Sequence, residues 1–507
     1  MPSVADLIFL ALLALLLFTP LSTKLLGDAG IGWHIRTGQQ ILATHSVPHS
    51  DPFSSTMAGK AWFAWEWLYD VIVGELEITL GLNGVVWLTA VVIATVFAAV
   101  MRLLILRGVS VCAALGLTLL AIFSSTIHFL ARPHVLSWLA TLLWFWILES
   151  SEPRAEGNTP HRKRLWLLPV LMLVWVNVHG GFLLGFVLLI LFWLAAVWEW
   201  ATTRTDRLED SLRRIAAQRR LRDLTVVGFA SAIASLINPY GMALHAHIYR
   251  YLSNRFLMSH VEEFQSPNFH QVAPRCFAIL LLISVAAVII RARRVRMSHG
   301  LTLLFAIYAG LYASRNLPIS SILLALIAGT RLCGRNDPRP GGDHGKGFFA
   351  RMTAIEQCQR GHAWCLAACL VTLLICVNGG RLGSKALIEA RFSPERIPVA
   401  AVDFFAQQGI HDPLFAPDYW GGYLIYRLYP NRVVIDDRHD FFGEQFLRSY
   451  LVTFYAEPDW QQFLDGHGVS YILFPRKAAL STVLSQSSQW KRIYADDNAI
   501  LFEHAAR

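Results

Sequence analysis

Charge is what this 507-residue chain has least of: Asp, Glu, Lys and Arg make up 16% of it, against 55% hydrophobic residues and a mean hydropathy of +0.44. Soluble domains carry about 25% charged residues, so this balance excludes a soluble globular enzyme. Walker-type phosphate loops, the Gly-x-Gly-x-x-Gly fingerprint, the Gly-x-Ser-x-Gly elbow and paired-Cys zinc spacing are absent too. Nucleotide-driven chemistry is therefore not expected. Cysteine is sparse, with seven in all and none beyond Cys376, which predicts no disulfides. No internal repeat is visible, and no cleavage-site pattern follows the first apolar run, which reads as a retained helix rather than a signal peptide.

What the chain does have is long apolar runs, and a helix needs roughly 20 such residues to cross a hydrocarbon core. Runs at 7–23, 84–106, 109–127, 133–150, 165–178, 181–200, 224–238, 276–292, 300–314, 317–331 and 361–378 predict about 11 transmembrane helices. The expected fold is thus an all-α polytopic membrane domain over 1–378, followed by a small soluble α/β extracytoplasmic domain over 379–507. The net charge of +9 is topological and implies no nucleic-acid partner: alternate short loops hold about 23 Lys and Arg on one side and about 8 on the other. By the positive-inside rule the N-terminus is inside and the tail outside. In the tail, 398–407 and 460–466 read as helices, and 413–416, 432–435, 470–474 and 500–503 as strands. A Gly, Pro and Arg-rich inner loop, Asn336 to Lys346, reads as disordered.

The polar residues gather on the predicted outer face, in long loops at 24–83 and 239–275. Several spans are short and end there in clusters: His128, Arg132 and His134; Asn177 and His179; Asn238, Pro239 and Tyr240; Arg315, Asn316 and Pro318. Short helices predict a cavity below the outer surface, roofed by interfacial helices between Tyr240 and Arg275. Ten of the 18 histidines fall in these outer segments of the membrane part. Topology does not explain the placement of mostly neutral imidazoles; a polar working face and helix-end hydrogen bonding both do. Glu66, between Trp65 and Trp67 at interface depth, requires a partner or a raised pKa. Glu262 and Glu263 are either further polar groups of the site or solvated loop charges. Asp51-Pro52 also reads as a turn, and Asp436-Asp437-Arg438-His439-Asp440 as a strand-end turn with an Arg438 to Asp ion pair.

The first outer loop carries Asp28-Ala29-Gly30-Ile31-Gly32-Trp33-His34-Ile35, then Asp51-Pro52-Phe53-Ser54, then Trp65-Glu66-Trp67-Leu68. An acid directly after the first span, followed by an interfacial amphipathic helix, resembles the GT-C superfamily of membrane glycosyltransferases. Asn238-Pro239 and Glu262 to Pro267 extend the resemblance to a bacterial GT-C-like group over nearly the whole chain. It implies a bacterial inner-membrane enzyme that moves a sugar from a polyprenyl-phosphate-linked donor to an extracytoplasmic lipid, glycan or protein, in contact with membrane lipids. Asp28 is then the candidate base or a ligand for a divalent cation, Mg or Mn, with Glu66 and Asp51 as further acids. Candidates for binding substrate or lipid phosphate are His34, Arg132, His134, His179, Arg315 and Glu262. The sequence departs from the superfamily at position 30, where many members carry a second acid and this chain has Gly. A transporter or flippase of lipid-linked or polar solutes, and a non-catalytic envelope scaffold, are the alternative readings.

Overall fold

The computed structural model describes residues 2–152, 161–203, 207–290, 295–332, 348–359 and 362–505. Asn336 to Lys346 lies outside them. The molecule is mostly helical, with a small sheet near its C-terminus.

Four helical stretches are long and apolar enough to cross a membrane: Leu82–Leu106, Val111–His128, Gly180–Thr202 and Val272–Ile290. A fifth results if the pair Arg351–Cys358 and Ala363–Val377, bent by 62°, counts as one. The expected count of about 11 is therefore corrected to four or five among the described residues. Length is the reason, since apolar runs that look continuous in sequence are interrupted in space. Thr19 and Pro20 break the first run into Val4–Phe18 and Leu21–Leu25, and Leu167–Val178 has only 12 residues, about 18 Å of helix. Leu317–Leu332 is apolar for another reason: Ile322 to Ala328 are fully buried by neighbouring helices, so its hydrophobicity serves packing. The run at 224–238 is the end of a longer helix, Leu208–Ser235, whose first half is charged.

In the tail, four strands form a sheet in the order Leu414–Phe415, Tyr471–Pro475, Ala499–His504, Trp490–Ala495; the first pair is parallel, the others antiparallel. Three expected strands are present. The fourth, at 432–435, forms only isolated bridges from Val433 to Ser54 and Leu414. Trp490–Ala495 escaped prediction because only Trp490 in it is buried, which leaves no period-two pattern to read. Under the sheet lies a core of Phe415, Val434, Ile435, Phe474 and Phe502, which also takes in Met57 and Leu257 from the outer loops.

The core of the helical part continues without a gap into Phe392, Val402, Trp420, Tyr423 and Leu424 of the tail. Glycine makes the joint. A Cβ on Gly32 would stand 2.2 Å from the Gly422 carbonyl oxygen, and one on Gly422 would stand 2.3 Å from that of Ala29. The helices Ile31–Thr44 and Asp418–Leu428 therefore touch backbone to backbone. This contact accounts for Gly422, and Asp436, whose Cα would stand 2.5 Å from a Cβ on Gly421, accounts for its neighbour; in an open helix each glycine would cost about 1 kcal/mol.

Candidate active site

Asp28 sits in the turn before Ile31–Thr44, its Oδ1 accepting from the Gly30 N–H at 2.8 Å and its Oδ2 3.3 Å from Arg132 Nε. The carboxylate keeps 30% of its side-chain surface exposed, enough for a substrate to reach it. Arg132 follows the helical span Val111–His128 in a short loop that is pinned by the Ala131 N–H bonded to the Leu25 carbonyl at 2.8 Å. Its Nη1 lies 3.1 Å from Asp437 Oδ2, while Asp437 Oδ1 accepts from the Trp33 indole at 2.9 Å. One guanidinium thus stands between two carboxylates from opposite ends of the chain.

Gly30 is the condition for that arrangement, since a Cβ there would fall 1.8 Å from Arg132 Nη1 and 2.4 Å from Asp437 Oδ2. The departure noted at position 30 follows from this geometry: the room for a second acid is filled by an arginine. Mg or Mn beside Asp28 does not fit this donor set, because the cation between its carboxylates is already covalently part of the chain. Among the described residues the metal-sized cluster is elsewhere, at Asp6, His362 and Cys365.

Glu66 precedes the helix Trp67–Leu80 and is buried, with Oε2 3.6 Å from His34 Nε2 and Oε1 3.6 Å from His179 Nε2. Burial pushes its carboxyl up to about 8, against the attraction of Arg132 and Arg315. His34 Nδ1 is 2.6 Å from Asp70 Oδ1, and its ring stacks on Trp33 at 3.6 Å. Burial drives the His34 imidazole well below its ordinary value and the Asp70 carboxyl well above its own. His34 Nδ1 and Asp70 Oδ1 share one hydrogen bond, which fixes the ring so that Nε2 faces Glu66. His179 is oriented alike: its Nδ1 accepts from the Gly181 N–H at 3.1 Å and from Ser137 Oγ at 2.8 Å, and Ser137 accepts from the Trp175 indole at 2.7 Å. Two imidazole Nε2 atoms therefore face one carboxyl, each at 3.6 Å.

Arg315 pairs with Glu263 at 3.2 Å and lies over the Phe264 ring. Burial alone would raise Glu263, but the charges of Arg315 and Arg132 outweigh it and hold the carboxyl at about 2. Glu262 is exposed and forms no ion pair among the described residues, so the acid facing Arg315 is its neighbour. His134 Nε2 bonds the His128 carbonyl at 2.9 Å, and His128 Nε2 bonds the Ser314 carbonyl at 3.0 Å: both act as helix-end ties. Asp51 does not join the cluster. It is buried, accepts from the Phe53 and Ser54 N–H groups, and pairs with Arg438 at 2.8 Å, while Arg438 also holds Asp436 at 2.7 Å. Its place as a candidate acid is corrected to a tie between the first loop and the tail.

The sequence placed Asp28, Glu66, Arg132, His179 and Arg315 around one cavity, with His34 as a further binding candidate; it read Asp437 only as part of a turn and Trp33 only as part of a motif, and it did not single out Asp70 or Ser137. The acid run after a buried segment was the one available signal for Asp437. Asp70 offered only its four-residue spacing from Glu66.

No family model and no curated protein matches this chain. Solved structures do. The Archaeoglobus fulgidus oligosaccharyltransferase in the apo form is similar at a TM-score of 0.51 and 12% identity, over 93% of this chain and 69% of that one. The same archaeal protein, AglB, in complex with an inhibitory peptide and a dolichol-phosphate gives 0.52 and 12%, over 99% and 74%. Its form tethered to an acceptor peptide containing the NVT sequon gives 0.53 and 11%, also over 99% and 74%. At such identities the likeness is one of fold, and that fold is GT-C-like, as the resemblance in sequence implied.

Proposed function

We propose that this chain is an integral-membrane glycosyltransferase that moves a sugar from a polyprenyl-phosphate-linked donor to an extracytoplasmic acceptor. The observation that carries the reading is the guanidinium of Arg132 held between Asp28 and Asp437, next to a buried carboxyl flanked by two imidazoles. The departing lipid phosphate needs a fixed cation, and Arg132 supplies one whose fork matches phosphate oxygens in pairs. Arg315 is the second cation of the layer. Asp28, at the exposed edge of the pair, accepts the acceptor proton as the transfer proceeds. Glu66 with His34 and His179 forms the buried floor. The archaeal neighbour's complex with an inhibitory peptide and a dolichol-phosphate, and its form tethered to an acceptor peptide, support a lipid phosphate and an acceptor meeting in this fold. A bacterial inner membrane, with the N-terminus inside and the tail outside, completes the reading and rests on the asymmetry of loop charge.

The test is Asp28→Asn, which keeps shape and hydrogen bonding but removes the charge. Sugar release from a polyprenyl-phosphate donor by the purified protein is expected to fall about 100-fold to 10,000-fold, the usual contribution of a base. Thermal melting is the folding control. Turnover equal to wild type would remove Asp28 from the reaction and the glycosyltransferase reading with it.

A further inference from the structure

The helices Leu167–Val178 and Leu208–Ser235 run side by side and parallel, one end of the pair at His179 of the candidate active site and the other remote from it. Their pairing is fixed at both ends: Arg162, just before the first helix, donates from Nε to Asp223 at 2.7 Å, and Asn177 donates to the Ile237 carbonyl at 2.9 Å. The two ties are 15 residues apart on the shorter segment, about 20 Å along a helix. At the Arg162 end a cleft of about 430 Å³ opens between the two segments, lined by Arg162, Lys163, Trp166, Arg222, Asp223 and Val226.

Three cations and one acid line this cleft. Asp223 is shared by Arg162 and, at 3.5 Å, by Arg222, while Lys163 is exposed and has no ion partner among the described residues. Two positive charges are left over where the apolar stretches of the two helices, 167–178 and 224–235, begin. From the cleft onward both segments expose large hydrophobic side chains: Trp166 (58%) at its edge, then Val170 (61%) and Val174 on one helix, and Phe229 (70%) and Ile233 on the other. In a chain with membrane-crossing helices, such surface meets acyl chains. Tryptophan at the junction of the basic cleft and the apolar surface occupies the depth of lipid headgroups.

We propose that this cleft is a binding site for an anionic phospholipid, with its headgroup phosphate between Lys163 and Arg222 and an acyl chain lying along the two helices. Charge decides the headgroup: a zwitterionic lipid brings no net charge to answer the surplus, whereas one with a single net negative charge does. The apolar continuation decides for a lipid over free phosphate, which would use the cations and leave the 20 Å of exposed hydrophobic surface without a role.

Full-length protein in detergent, exchanged against phosphatidylglycerol or phosphatidylcholine and weighed by native mass spectrometry, provides the test. Wild type is expected to retain phosphatidylglycerol about tenfold or more over phosphatidylcholine, and Lys163→Gln with Arg222→Gln to abolish that preference, at about fivefold per charge. The double variant leaves the Arg162–Asp223 tie in place. Equal retention of both lipids by wild type overturns the proposal, as does an unchanged preference in the variant. Competition with inorganic phosphate covers the case in which the variant fails to fold: displacement of the lipid by millimolar phosphate would make this a phosphate site, and retention supports the lipid.

Discussion

Glu66 is the residue whose ionisation the fold opposes most legibly, and its consequence is a slope of stability with pH. Burial raises its carboxyl to about 8, so the folded chain keeps a proton that the unfolded chain releases near pH 4. The sign follows: stability is whole below the unfolded value, drains as the pH rises toward about 8, and is level beyond. The loss is on the order of 5 kcal/mol. Glu66→Gln has no proton to lose there, and its melting temperature is expected to fall less steeply between pH 5 and pH 8.5 than that of wild type, the remaining slope coming from Asp70 and Asp437. Parallel melting curves would mean that Glu66 is ionised in the folded chain. The demand for a partner or a raised pKa was legible in the sequence, because a carboxyl between two interfacial tryptophans has few other options. That the partners are His34 and His179 was not, since they come from positions 32 residues before and 113 residues after it. Asp437 was hidden for the same reason at greater range. Its bonds run to Trp33 and Arg132, and no local pattern encodes a contact across 300 positions.

Helices were legible as elements but not in their lengths or duties. Hydropathy reports that a segment is apolar, and a segment can be apolar because it faces lipid or because it is packed all round, as Leu317–Leu332 is. That ambiguity inflated the count of spans. Three tail helices were missed: Asp418–Leu428 for its paired glycines, His439–Phe454 for the kink at Gly443, whose φ is 78°, and Ala479–Gln486 for its shortness, eight residues. The first of these carries its own prediction. Gly422→Ala places a methyl group 2.3 Å from the Ala29 carbonyl and forces the two helices apart, an overpacking cost of about 1–3 kcal/mol. Gly466→Ala is the matched control, because the same methyl meets nothing within 4 Å. Lowered melting for the first substitution and unchanged or raised melting for the second is expected. Equal effects would show that helix propensity, and not the close approach, governs both positions.

At the scale of the whole molecule, the first loop and the tail are one structure. Backbone bonds join Ser55 to Val433 and Val433 to Phe53, the buried pair Asp51–Arg438 lies beside them, and the candidate site takes Asp28 from one part and Asp437 from the other. A membrane cannot pass between groups bonded in this way, so whichever side holds residue 60 must also hold residue 488. The basic segments then choose the side, since Arg222 lies in the arginine-rich half of Leu208–Ser235, which the positive-inside rule assigns to the cytoplasm. Single cysteines at Lys60, Ser488 and Arg222, all exposed, turn this into a labelling experiment on intact cells with a membrane-impermeant maleimide. Lys60→Cys and Ser488→Cys are expected to react from outside, and Arg222→Cys only after the inner face is opened. Reversal of all three would keep the fold and invert the orientation, moving the candidate site to the cytoplasmic face and ending the case for an extracytoplasmic acceptor. Reaction of Lys60→Cys and Ser488→Cys from opposite sides would go further, because the Asp28–Arg132–Asp437 arrangement cannot then exist.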